Sequence, residues 1–167
     1  MNTKKLTRMA LLTAAALIIF MVEAQLPAPV PIPGVKLGLA NVVTVYAMFA
    51  LSPAQALAIL VCRVFLGSVF SGQMMTLFYS LGGGLLCWCV MLFLRRVLTG
   101  KQIWVAGVFG AIAHNFGQIL VGIALTRTPG LIVYLPVLMV SGILTGAFTG
   151  TAAQSLIGHL GRIGQKQ

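Results

Sequence analysis

The sequence predicts an all-α integral membrane protein, a single domain over residues 1–167 with six transmembrane helices and both termini on the cytoplasmic side. Three observations carry this. The chain is 59% hydrophobic, with a mean hydropathy of +1.04. Only 7% of its residues are charged, against about 25% in a soluble domain. Proline, glycine and short polar breaks cut the apolar sequence into six runs, most near the roughly 20 residues that cross a bilayer.

One acid, Glu23, stands in the whole chain. That excludes function classes. No pair of carboxylates exists for acid/base work, for a carboxylate nucleophile or for a magnesium site, which wants carboxylate oxygens. The net charge of +10 is not read as a nucleic-acid footprint, because the basic residues sit at helix ends. Cys62, Cys87 and Cys89 lie in apolar runs without metal-ligand spacing and read as small buried apolar residues. No metal or cofactor is expected.

The first helix, about residues 9–25, follows Lys4, Lys5 and Arg8. Basic residues before an apolar run also fit a signal peptide, but five further hydrophobic segments favour a membrane helix. Leu26 to Gly34 holds four prolines at alternate positions. Each removes a backbone donor and fixes φ, so the segment reads as a stiff, extended loop. The second helix is expected over about 35–51. Ser52-Pro53 then supplies a cap and a first-turn proline. The third helix is expected over 54–70, the fourth over 75–98, the fifth over 103–125 and the sixth over 131–157, with a polar tail after it. Ser71-Gly72-Gln73 and Thr126 to Gly130 are the intervening breaks.

An even helix count places Lys4, Lys5, Arg8, Arg95, Arg96, Lys101, Arg162 and Lys166 on one side, eight of the eleven basic residues. Positive residues stay cytoplasmic.

Polar groups within the apolar runs are the candidate site, because lipid does not tolerate them unpartnered. The charged ones are Glu23, Lys36 and Arg63; the neutral ones are Asn41, His114, Asn115 and Gln118. At a rise of about 1.5 Å per residue, Asn41 lies about 10 Å below the start of its helix, and Gly82-Gly83-Gly84 about 10–14 Å down theirs. Asn115 and Gln118 lie about 18 and 22 Å up from the inner side. All converge on the outer half of the membrane. Gly107, Ala111, His114, Gln118 and Gly122 recur at steps of three and four and share one helix face. That face serves helix packing or a ligand. Arg63 pairs with Glu23, with carbonyls or with an anionic ligand. Lys36, at the expected start of the second helix, reads as a snorkelling interfacial lysine or as an anion site beside free helix N–H groups. Gly83 permits close approach of a backbone or a ligand. Ala10 and Ala14, four apart, allow close packing of a helix, within the chain or from a partner. His114 has no positioned acid or nucleophile to make a catalytic group, and His159 reads as a surface residue.

Three stretches carry a family resemblance: Pro33-Gly34-Val35-Lys36-Leu37-Gly38-Leu39-Ala40-Asn41, Ser80-Leu81-Gly82-Gly83-Gly84-Leu85-Leu86 and Gly110-Ala111-Ile112-Ala113-His114-Asn115-Phe116-Gly117-Gln118. Over about residues 10–155 the chain resembles a bacterial membrane family labelled both heptaprenyl diphosphate synthase component I and Gx transporter. The resemblance implies a fold similar to the S components of energy-coupling factor (ECF) transporters. There the ligand sits in the outer half beneath the loop between helices one and two. An Ala-xxx-Ala stripe, matched by Ala10 and Ala14, docks on a transmembrane coupling subunit, and ATPases drive transport. The Leu26–Gly34 loop would be the lid. Prenyl diphosphate synthases resemble one another in aspartate-rich motifs, and this chain has no Asp, so no such catalytic subunit is expected. The expectation is therefore a solute-binding subunit in the bacterial cytoplasmic membrane, taking a small, anionic ligand. The alternative is a non-catalytic membrane component of heptaprenyl diphosphate or polyprenyl (quinone) biosynthesis.

Overall fold

Local chemistry at the breaks sets where the helices stop. The computed structural model describes residues 3–26 and 36–164, and among these every regular element is helical. The helices are α1 (Thr3–Glu23), α2 (Asn41–Ala50), α3 (Pro53–Ser71), α4 (Met74–Leu94), α5 (Ile103–Thr126) and α6 (Leu135–Gly164). Short 3-10 turns at Gly100–Gln102 and Pro129–Tyr134 lead into α5 and α6. Ser52 caps α3 by accepting the Gln55 N–H at 3.3 Å, with Pro53 in the first turn. Gly72 closes α3 in the left-handed region at φ 65°. Both follow from the sequence.

Five helices are long and apolar enough to cross a membrane, as a multi-pass protein requires; α2 is not. At 10 residues it is about 15 Å long, half of a hydrocarbon core of about 30 Å. The expected second helix from residue 35 is corrected here: α2 starts at Asn41. Gly38 has φ +82°, which a continuing α-helix cannot use. The chain then tightens through i→i+3 bonds, Asn41 N–H to Gly38 O at 2.9 Å and Val42 N–H to Leu39 O at 3.1 Å. Residues 36–40 enter the bundle as irregular backbone, tolerated at depth only where protein covers it. Other bounds shift too. α1 begins six residues earlier than expected, α4 ends at Leu94 rather than near 98, and α6 starts four residues later and runs through part of the expected tail.

The short α2 is the hub. It contacts each of the other five helices and buries six of its ten residues: Asn41, Val43, Thr44, Val45, Ala47 and Met48. Its apolar residues join Ala16, Ile59, Cys87 and Met91 in the main core. The tightest packing joins α5 to α6 and to α4, and glycine makes it. A Cβ on Gly107 would lie 2.5 Å from Gly150 Cα and 2.6 Å from the Gly146 carbonyl oxygen, both backbone atoms of α6. One on Gly117 would lie 2.8 Å from Gly83 Cα in α4. Close backbone approach of this kind is how helices associate where lipid removes the hydrophobic drive.

Gly107→Ala forces α5 and α6 apart and is expected to lower stability by about 1–3 kcal/mol. Gly158→Ala meets nothing within 4 Å and is expected to leave stability unchanged or raise it by up to about 1 kcal/mol. Thermal unfolding in mild detergent compares the two.

Candidate functional site

The site starts from the middle of α5. His114, Asn115 and Gln118 are buried there, Gln118 completely. The whole predicted face of Gly107, Ala111, His114, Gln118 and Gly122 is buried with them. α2 adds Asn41 and Thr44, three residues apart on one face, and α3 adds Arg63, which is only 2% exposed. Gly83 of α4 lies against the same row. A Cβ there would come within 2.9 Å of His114 Nδ1 and 3.0 Å of Gln118 Cγ. The glycine lets the α4 backbone come directly against both side chains.

Three links order the row. Arg63 Nη2 donates to Asn41 Oδ1 at 3.2 Å. Asn115 Nδ2 donates to the Leu138 carbonyl of α6 at 2.5 Å. The backbone of Gly38 lies between Asn41 and His114, so that a Cβ on it would meet Asn41 Nδ2 at 2.9 Å and His114 Cδ2 at 3.1 Å. The row therefore runs from Arg63 through Asn41 and His114 to Gln118.

Glu23 fastens residues 36–40 over one end. Its buried carboxylate accepts the Gly38 N–H at 2.5 Å, joining the end of α1 to the entry of α2. Arg63 and Lys36 both act on that carboxylate electrostatically. Thr145 Oγ1 of α6 lies 3.5 Å from the Leu37 carbonyl oxygen, while its hydroxyl donates to the Ser141 carbonyl at 2.9 Å. Lys36 does not stand at a helix N-terminus, so the helix-dipole argument for an anion there falls. Instead its ammonium lies 3.6 Å from the centre of the Phe20 ring, a cation–π contact.

Seven of the site's buried polar atoms have no hydrogen-bond partner among the described residues. They are Asn41 Nδ2, Thr44 Oγ1, Arg63 Nε, His114 Nδ1, Asn115 Oδ1, and Gln118 Nε2 and Oε1. At about 1–3 kcal/mol each, such a set rivals the whole stability of a domain, about 5–15 kcal/mol. Those of Arg63, Asn41, His114 and Gln118 lie along the row, while Asn115 turns to α6, against the Leu138 carbonyl and Gly142.

The structure thus gathers Glu23, Asn41, Arg63, Gly83, His114, Asn115 and Gln118, with Lys36 at the rim. The expected Glu23–Arg63 pairing acts through space, while the guanidinium's hydrogen bond goes to Asn41. Asn41 opens α2 instead of lying two turns down it. Ala10 and Ala14 are elsewhere, exposed and lining a groove of about 420 Å³ between α1 and α3 with Thr13, Ala58 and Cys62. Residues 27–34 of the expected lid lie outside the described residues. Gly38, Thr44 and Gly142 were not singled out from sequence. Thr44 was findable from its i+3 spacing to Asn41, whereas the contact of Gly142 with Asn115 leaves no local signal.

A family model described as heptaprenyl diphosphate synthase component I matches residues 12–156. The matched span holds every residue of the buried row and Ala14, but not Ala10. No curated protein and no solved structure matches the chain. With that match over most of its length, the chain belongs to the heptaprenyl diphosphate synthase component I family, as a multi-pass, all-helical member.

Proposed function

We propose that this chain is a solute-binding membrane subunit of an uptake system, similar in design to the S components of ECF transporters. The observation that carries the reading is the set of seven unpartnered polar atoms, buried behind a segment fastened by the only carboxylate. Polar side chains that only join helices hydrogen-bond across the helix interface; these atoms have no such partner among the described residues. A small polar solute would pair with them. Irregular backbone at membrane depth, as in residues 36–40, suits the lining of a binding cavity.

In this reading the site lies in the outer half of the bacterial cytoplasmic membrane and both termini are cytoplasmic. The chain carries no ATP-binding motif, so in this reading energy comes from a partner or a gradient. The groove at Ala10 and Ala14 would receive a transmembrane coupling subunit, with ATPases behind it. The chain itself is read as non-catalytic, since diphosphate chemistry with magnesium needs carboxylates it does not have.

The family's description favours a second reading, a membrane accessory to a prenyl diphosphate synthase. The two part experimentally. A solute-binding subunit purified in mild detergent retains a small solute, released on denaturation and seen by mass spectrometry. An accessory instead co-purifies with a soluble synthase and changes its product length; that result without a retained solute would overturn our reading.

Glu23→Gln weakens the clasp on Gly38 and leaves Arg63 and Lys36 without a countercharge. The expected outcome is faster solute release and a loss of stability of about 1.5–3 kcal/mol, the range for a charged hydrogen bond. Release kinetics and thermal unfolding check it. Unchanged values for both would reduce Glu23 to a boundary charge.

A further inference from the structure

The unpartnered atoms differ in kind along the row, and their order carries information about the ligand. We propose that the site takes a small monoanion with a carboxylate at one end and a lactam or amide edge, N–H beside C=O, at the other. This rests on the solute-binding reading above.

At one end stand donors. Asn41 spends its Oδ1 on Arg63, which fixes the amide orientation and leaves Nδ2 free to donate. Arg63 Nε is the second free donor, on a group that stays charged. Two donors, one of them cationic, call for an anionic acceptor, and a carboxylate's two oxygens match them. At the other end the demand is mixed. Gln118 has both Nε2 and Oε1 unpartnered among the described residues, so its need is the same whichever way the amide is turned. The adjacent donor and acceptor of this one amide are met together by an N–H and a C=O held side by side, as in a lactam ring. The His114 ring lies between the two ends, with Nδ1 beside Gly83 and Nε2 beside Gly38.

Charge narrows the class. Arg63 and Lys36 against Glu23 leave a formal excess of one positive charge, which suits a monoanion. A diphosphate brings more negative charge than that, and the Gln118 end offers it no cation.

The test uses the full chain in mild detergent, washed free of solute, with three matched probes by titration calorimetry. Orotate carries both a carboxylate and a lactam edge, uracil the edge alone, and benzoate the carboxylate alone. A site built for hydrogen bonds rejects analogues lacking them. Orotate is therefore expected to bind about tenfold or more tighter than either partner probe. Gln118→Leu should collapse the orotate-to-benzoate ratio towards one while keeping the orotate-to-uracil ratio. Arg63→Gln should do the reverse. Ratios within one variant do not depend on how much of it folds, and if neither variant folds the native ratios decide. Orotate binding no tighter than benzoate or uracil overturns the proposal, as does a Gln118→Leu protein with both ratios unchanged. A retained native solute lacking either group also overturns it while leaving the solute-binding reading standing. Failure of all three probes together with no retained solute removes both.

Discussion

The bond from the Gly38 N–H to the Glu23 carboxylate is the contact on which the arrangement turns. It ties the end of α1 to the irregular segment that enters α2, and α2 contacts every other helix. Placing a carboxylate in a protein interior is costly unless it is hydrogen-bonded and opposed by positive charge. Here a backbone N–H supplies the bond, and Arg63 and Lys36 supply the charge. A chain with one acid has set that acid where three elements meet. The scarcity of acids therefore does more than mark a membrane protein, since it makes this single closure irreplaceable from within the chain.

Glycine plays two parts around the same site. At Gly107, Gly146 and Gly150 it brings α5 and α6 into backbone contact, which holds the polar face of α5 rigidly inward. At Gly38 and Gly83 it lets the backbone come directly against His114, Asn41 and Gln118. The first set builds the scaffold, and the second sets backbone against the polar row. Rigid elements carrying precise polar groups, with one segment fastened by few bonds, form a combination suited to taking in a solute and letting it go.

Much of this was legible in the sequence. Apolar run length and the proline and glycine breaks located the helices, because the breaks act locally on backbone donors and φ. The face of α5 followed from a period that geometry fixes. The start of α2 did not follow, since residues 35–40 carry no local signal against a helix strong enough to outweigh their apolar context. What ends the helix there is a tertiary bond to Glu23 and a left-handed Gly38. The Arg63–Asn41 bond was equally hidden, as a guanidinium with one acid in the chain is read first as that acid's partner. The reach of Lys36 to the Phe20 ring depends on the same displaced segment.

The central claim is that the buried row is a ligand site rather than a packing device. The most direct measurement is a density map of the protein purified from its own membranes, inspected between Arg63 and Gln118. The account predicts density for a small solute in contact with Asn41, His114 and Gln118, under a closed 36–40 segment. A well-resolved map in which these side chains pair with one another, with no solute among them, would contradict it.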